Sequence, residues 1–177
     1  MAQEEKLPYF EIPEYPENYS AGTVAARLID GLGFRYYWAT DGLREEDLRF
    51  KPNEEARTCA ETVDHILGLS EVIVNSTINK VNERGQEKTD LTFEEKRKKT
   101  LINFKTAADI LRISDDISVF KIVFKSDQGT SDYPFWNNIN GPIADAIWHC
   151  GQIVTFRRSS GNPYNSKASL FTGKLRE

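Results

Sequence analysis

Four segments of the chain carry apolar residues that recur every three or four positions, which is the spacing of one face of an α-helix. A chain of 177 residues is long enough for one domain and short for two. We therefore expect a single core made of helices that bury their apolar faces against one another. The predicted helices cover about residues 20–40, 58–82, 92–113 and 142–160.

The ends of these segments carry the local signals of helix termini. Residues 58–61 (TCAE) and 92–95 (TFEE) are capping boxes, in which the threonine and the glutamate satisfy backbone N–H groups reciprocally. Ser20 can cap the first helix, and Gly85 can end the second one in the left-handed conformation. Pro142 fits the first position of the fourth helix, where its missing N–H costs nothing.

The apolar stripes predict which side chains face the core. The fourth helix is apolar over most of its circumference, so we expect it to be the most buried of the four. The stripes of the other three helices comprise Val24, Leu28, Leu32, Tyr36 and Ala39 on the first, Val63, Leu67, Ser70, Val74 and Val81 on the second, and Leu101, Phe104, Ala108 and Leu111 on the third.

The segments outside the helices complete the predicted architecture. Residues 1–19 combine prolines with aromatic residues and predict an extended arm that lies on its own domain or on a neighbouring subunit. Residues 117–124 (ISVFKIVF) predict a short strand or an extended crossing segment, whereas we expect loop over 126–138 and coil over 162–177. The resulting fold class is all-α: a four-helix bundle over residues 20–161, with long crossover connections after the first and third helices.

Composition excludes several classes of protein. The formal net charge of −4 argues against nucleic acid as the main partner. No stretch approaches the ~18 apolar residues that cross a bilayer, and the N-terminus lacks the apolar region of a signal peptide. We therefore expect a cytoplasmic protein without a membrane partner. In a reducing compartment Cys59 and Cys150 are expected to be buried free thiols.

The candidate site rests on the two histidines of the chain, His65 in the second helix and His149 in the fourth. Asp145 precedes His149 by four residues, a spacing that lets two side chains converge on one ion. Two imidazoles and one carboxylate, with open positions for water or substrate, are typical of a catalytic divalent metal site. A structural interpretation is also open, because His65 flanks its stripe and a carboxylate in the first helical turn favours the helix dipole without a metal.

Other polar and aromatic residues are weaker candidates. Gln152 shares the face of His149 and could orient a metal ligand or the water on the metal, or bridge two helices by hydrogen bonds. The arginines at 157–158 complement the dipole at the end of the fourth helix or bind an anionic substrate. Trp136 and Trp148 are expected to pack in the core, with a pocket wall as the alternative. The basic run at 96–99 (KRKK) is expected to be a solvated face.

Three segments in this order resemble the DinB/YfiT-like superfamily of metal-binding four-helix bundles. They are DGLREEDLRFKP at 41–52, the pattern T-x-x-E-x-x-x-H-I-L-G at 58–68, and HCGQI at 149–153 leading into RRSSGNP. Members of the superfamily typically bind a divalent metal through one histidine on the second helix and an H-x-x-x-H pair on the last.

The resemblance implies a ligand set for this chain. His65 matches the first histidine, His149 matches the second member of the pair, and Gln152 matches a glutamine of the superfamily. Asp145 stands where the pair has its first histidine, a departure that still allows zinc, nickel, manganese or iron as the metal.

The resemblance also implies a function. It suggests a metal-dependent enzyme, either a transferase that uses a low-molecular-weight thiol or a hydrolase, with a small-molecule substrate. The alternative is a non-catalytic small-molecule-binding or stress-associated bundle whose metal site is vestigial, and the departure at Asp145 favours it. We expect a homodimer that covers the aromatic arm or a helix face.

Overall fold

The computed structural model describes residues 6–83 and 90–177 and is mostly helical. The four predicted helices are present, but the strands mean that the protein is not purely all-α. The helices are α1 (Ala21–Thr40), α2 (Glu45–Arg49), α3 (Cys59–Thr77), α4 (Phe93–Arg112), α5 (Trp136–Asn138) and α6 (Ala144–Ser159). The strands are β1 (Asn82–Glu83), β2 (Lys121–Ser126), β3 (Gly129–Pro134), β4 (Ala168–Ser169) and β5 (Lys174–Leu175).

Three of the four predicted helix starts are confirmed by their hydrogen bonds. The hydroxyl of Thr58 accepts from the N–H of Glu61 at 3.1 Å, and its backbone N–H donates to the Glu61 carboxylate. Thr92 and Glu95 make the same reciprocal pair at the start of α4. Ser20 caps α1. These bonds satisfy N–H groups that the first turn of a helix leaves without a partner.

Helix α3 ends earlier than predicted, at Thr77 rather than near Asn82. Asn79 adopts a left-handed φ of 54°, and the N–H of Lys80 donates to the Asn75 carbonyl at 2.8 Å. This is the hydrogen bond of a Schellman motif, and it ends the helix about one turn before the apolar pattern ends. Gly85, the predicted terminator, lies outside the described residues.

The four long helices contact one another, α1 and α3 each packing against both α4 and α6. The predicted stripe of α4 is confirmed, since all four of its side chains are fully buried. On α1 the prediction is wrong for Val24 and Leu28, which are exposed. It is also wrong that the last helix is the most buried, because α1 buries thirteen residues and α6 five.

A second apolar cluster explains the deep burial of α1. Phe34 and Trp38 of α1 pack with Ile12 of the arm and Ala168 of β4. The indole N–H of Trp38 donates to the Phe10 carbonyl at 3.2 Å. The predicted coil at 162–177 therefore contains a small β4–β5 hairpin that covers α1 together with the arm.

The arm lies on its own domain. The Tyr9 ring packs directly on Gly33, where a Cβ atom would collide with it. The Tyr9 hydroxyl donates to Asp30, and Arg112 at the end of α4 donates to the same buried carboxylate. The arm is thus held against both α1 and α4, while Tyr19 near its end remains exposed.

The connection between α4 and α6 differs most from the predicted loop. Strands β2 and β3 form an antiparallel hairpin that includes residues 126–134, and β1 pairs with β2 in parallel. A wide helical turn over 139–143 then contains Pro142 and a non-helical Gly141 with φ −102° and ψ −107°. The regular helix begins only at Ala144, so Pro142 is not its first residue, and Asp145 lies in its first turn. None of the described helices has the length and apolar character needed to cross a membrane.

Candidate metal centre

Helices α3 and α6 bring His65, Asp145 and His149 together. The Nε2 atom of His65 lies 3.0 Å from Oδ2 of Asp145. The Nε2 atom of His149 lies 3.3 Å from Oδ1 of the same carboxylate. The two imidazole rings meet edge to face with centroids 4.6 Å apart. Asp145 therefore lies between the two histidines. Helix α6 contributes Asp145 and His149, and α3 contributes His65.

The spacing of these atoms fits a metal ion. One ligand atom from each of the three residues lies within 4.8 Å of the others. Around a tetrahedral ion with bonds of about 2.0–2.2 Å, ligand atoms are separated by roughly 3.3–3.6 Å. The distances from Asp145 to the two histidines are 3.0 Å and 3.3 Å, at or just below the lower end of that range, and they run to different oxygens of the carboxylate. Imidazole and carboxylate are ligands for zinc, manganese, nickel and iron, so the donor set and its spacing both fit a divalent cation.

Gln152 fixes the orientation of His149. Its Oε1 atom lies 2.7 Å from Nδ1 of His149, one turn earlier on α6. With the amide oriented in this way, Nδ1 carries the proton and donates it to the amide oxygen. A neutral ring then has its lone pair on Nε2, the atom that faces Asp145. Two acceptors thus face each other, an arrangement stabilised by a second proton on the ring or by a cation.

The cluster is accessible from solvent on one side. The side chain of His149 is 13% exposed, that of His65 32% and that of Asp145 39%. A cavity of about 540 Å³ adjoins Asp145 and is lined by the end of the 139–143 turn, by Leu69 and by Trp148. Sequence reasoning missed Leu69 as a lining residue, although it lies one turn after His65 and so shares its face.

Both tryptophans outside α1 contradict the expectation of core packing. Trp136 is 72% exposed and Trp148 is 73% exposed. Trp148 lines the cavity beside Asp145, whereas Trp136 does not. The alternative of a pocket wall therefore holds for Trp148 alone.

Arg157 has a structural role that the sequence did not predict. Its guanidinium is buried and donates to the carbonyl oxygens of Trp38, Ala39 and Asp41, at the end of α1. Those carbonyls have no partner within their own helix, so Arg157 caps a neighbouring helix rather than its own. Arg158 is exposed and stacks over the ring of Tyr164. Neither arginine lines the cavity beside Asp145.

The basic run at 96–99 is not a simple solvated face. Lys96 pairs with Asp64 of α3 at 2.7 Å, and Lys99 pairs with Glu71 of α3 at 2.6 Å. Arg97 pairs with Asp41 at 3.1 Å. These ion pairs tie α4 to its neighbours. Lys96 and Lys99 also border a cavity of about 1170 Å³. That cavity lies between α3 and α4, away from the three ligand atoms.

The cysteines are buried free thiols, as expected. Burial raises the pKa of Cys59 and of Cys150 to about 12, so neither is a thiolate at neutral pH. Cys150 follows His149 directly in sequence, but only His65, Asp145 and His149 form the described metal-type cluster. The cluster therefore contains no sulfur.

Comparisons with known proteins give no assignment. No protein-family model matches the sequence, and neither the curated proteins nor the solved structures yield a match. The site must therefore be interpreted from its own chemistry.

Proposed function

We propose that this chain is a divalent-metal-dependent enzyme with a DinB-like four-helix bundle, in which α1, α3, α4 and α6 are the four helices. The observation that carries the proposal is the convergence of three ligand atoms from α3 and α6 within 4.8 Å. The second support is the Gln152 amide, which leaves the Nε2 lone pair of His149 facing the cluster. Histidines that bind a metal commonly donate their other ring N–H to a neighbouring oxygen, and the amide oxygen of Gln152 is in that position.

The contacts among the resemblance-bearing segments add support. Asp47, in the segment 41–52, accepts a hydrogen bond from Asn162 at 2.7 Å and another from Ser160. Arg157 joins the same segments through the Asp41 carbonyl. Two of the sequence patterns that resemble the DinB/YfiT-like superfamily thus contact each other. Both hold the segment 41–52 against the end of α6.

In the proposed site each residue has a defined task. His65 and His149 bind through Nε2 and Asp145 through one carboxylate oxygen, while Gln152 holds the ring of His149. When bound, the cation supplies the Lewis acidity that favours a thiolate or a hydroxide at neutral pH. The second oxygen of Asp145 can accept the proton that the incoming thiol or water releases. The partial exposure of Asp145 and His65 gives a small substrate access.

A non-catalytic bundle with a vestigial site is the second candidate. One observation favours it: the Asp145 carboxylate already bridges both histidines. With a proton on each facing nitrogen, the three side chains satisfy one another without a metal. Metal affinity separates the two candidates directly.

The test is calorimetric titration of the full chain with Zn²⁺, Ni²⁺ and Mn²⁺, followed by elemental analysis. We expect about one ion per chain, and its loss in His149→Ala and His65→Ala, because two protein ligands rarely hold an ion. Asp109→Asn is the control, since Asp109 is a surface carboxylate paired with Lys105. Absence of binding for all three metals would contradict the enzyme proposal and support the non-catalytic bundle.

We also propose a homodimer. Part of the arm is already covered by its own domain, but Tyr19 and Phe171 remain almost fully exposed. A partner subunit that covered these side chains would remove their apolar surface from water. Sedimentation equilibrium at micromolar concentration should give twice the 20.2 kDa chain mass. A monomer at that concentration would contradict the proposal.

A further inference from the structure

The cavity beside Asp145 has an unusual composition for a site next to a metal. Its described lining residues include one charged group, Asp145 itself, and no lysine or arginine. A ligand that carried several negative charges would therefore meet no compensating cation other than the metal. Leu69, Pro142, Ala144 and Trp148 make up the apolar part of the wall.

Trp148 is the most exposed large side chain of this wall. It lies three residues after Asp145 on α6, which places both side chains on the same helical face. An indole with 73% of its surface exposed contributes little to the core, yet it costs free energy in water. Its flat face is available to stack against a ring of a bound molecule.

The geometry points to a ring-binding subsite: Trp148, with Leu69 and Pro142, binds the uncharged, flat body of a ligand whose single donor group reaches the cation at Asp145. The volume of about 540 Å³ suits a molecule of this size, since small-molecule pockets commonly enclose about 300–1,000 Å³. This inference rests on the proposed metal site for the donor group, but the stacking surface exists without the metal. It defines a substrate class, neutral and ring-bearing, and disfavours polyanionic thiols.

Two probes with the same donor group test the subsite. Benzohydroxamate and acetohydroxamate differ in the phenyl ring, and their affinities for the Zn²⁺-loaded full chain can be measured by calorimetry. We expect benzohydroxamate to bind about tenfold more tightly, because stacking and apolar burial of one ring contribute on that order. Trp148→Ala should remove this preference and Trp148→Phe should keep most of it. A further carboxylate on the ring, in 4-carboxybenzohydroxamate, should weaken binding.

Trp136→Ala is the matched control, because Trp136 has nearly the same exposure and does not line the cavity. It should leave the tenfold preference intact. A preference that persists in Trp148→Ala, or that disappears equally in Trp136→Ala, would overturn the subsite while leaving the metal site in place.

A metal-free measurement separates this inference from the proposed function. In ligand-observed NMR, benzyl alcohol should receive saturation from the metal-free wild type and from Trp136→Ala, and clearly less from Trp148→Ala. If the wild type binds no metal but shows this pattern, the enzyme proposal fails and the ring subsite stands. If the three proteins give equal saturation, the subsite is overturned whatever the metal result.

Discussion

Two polar clusters in this protein are built around one aspartate each, and they differ in what surrounds the carboxylate. Asp47, where α2 meets the end of α6, is fully buried. It accepts hydrogen bonds from the side chain and backbone of Arg44, from Ser160 and from Asn162. Asp145 is 39% exposed, and its neighbours are two imidazole nitrogens, one of which faces it as an acceptor.

The difference lies in the number of donors. Each of these groups around Asp47 donates a hydrogen bond to it, so the carboxylate is satisfied without a ligand. The bonds also join residues that are far apart in sequence. The Arg44 guanidinium, which donates to both carboxylate oxygens, holds the pKa of Asp47 well below its usual range. Around Asp145 the number of donors depends on the tautomers of the two histidines, and the cation that we propose would bind between these three side chains. A cluster of the first kind holds a fold together, whereas we propose that the cluster at Asp145 binds a cation.

The largest expected effect is the removal of Arg157 from the first region. Arg157→Ala leaves three carbonyl oxygens at the end of α1 without their donor. Buried acceptors without partners each cost about 1–3 kcal/mol, so we expect a loss of roughly 3–5 kcal/mol in the free energy of unfolding. Urea denaturation measures it. Arg158→Ala, at the exposed neighbouring position, should change stability by less than about 0.5 kcal/mol. Equal effects of the two changes would contradict the capping role.

The second prediction concerns the pH dependence that Asp47 confers. Because its pKa is lowered in the folded protein, its contribution is fully present above the unfolded value of about 3.9. That contribution is lost as pH falls through the lower, folded pKa. Asp47→Asn should cost about 2 kcal/mol at pH 7, since charge-assisted hydrogen bonds become neutral ones.

The check is urea denaturation of both proteins between pH 7 and pH 3. The difference in unfolding free energy between wild type and Asp47→Asn should shrink as pH falls below about 4. A difference that stays constant over this range would mean that Asp47 acts through packing rather than through its charge.

The third prediction concerns Gln152, whose amide holds His149 beside Asp145. Gln152→Ala should leave the fold intact and weaken Zn²⁺ binding by about 10–100-fold, the usual cost of losing a group that orients a ligand histidine. Gln152→Glu keeps an acceptor at Nδ1 and should retain most of the affinity. Calorimetry of the two variants measures the effect. Equal weakening by both would show that the amide does more than orient the ring of His149.

Local signals predicted the helices well, because capping and apolar periodicity act within a few residues. The capping boxes at Thr58 and Thr92 and the stripe of α4 are examples. The predicted end of α3 was wrong because the left-handed backbone of Asn79 ends the helix, although the apolar pattern continues to Val81. The β2–β3 hairpin was missed beyond residue 124, since β3 is polar and exposed along its whole length. Such a strand is held by its ladder and has no apolar alternation to reveal it.

The metal-type cluster could be predicted because Asp145 and His149 lie four residues apart on one helix. The chain also has only two histidines, so His65 was the one other imidazole to consider. The burial of α1 could not, because it depends on the arm and the β4–β5 hairpin, which join α1 from both ends of the chain. The role of Arg157 was hidden for the same reason. The carbonyls that it caps lie more than a hundred residues away, and a sequence pattern at a helix end suggests only the nearest dipole.

The smallest expected effect is on the stability of Asp145→Asn, the same substitution as at Asp47. Asp145 is partly exposed in the first turn of α6, where a carboxylate contributes about 0.3–1 kcal/mol through the helix dipole. We therefore expect a cost of that size in thermal and urea denaturation without metal, clearly below the cost of Asp47→Asn.

With Zn²⁺ present, the wild type should gain stability by mass action and Asp145→Asn should gain much less, because its amide is a weak ligand. Asp145→His should regain the metal-dependent stabilisation, since imidazole is a good zinc donor. An equal gain for wild type and Asp145→Asn would place the third ligand elsewhere, and the contrast between the two aspartates would then be one of burial alone.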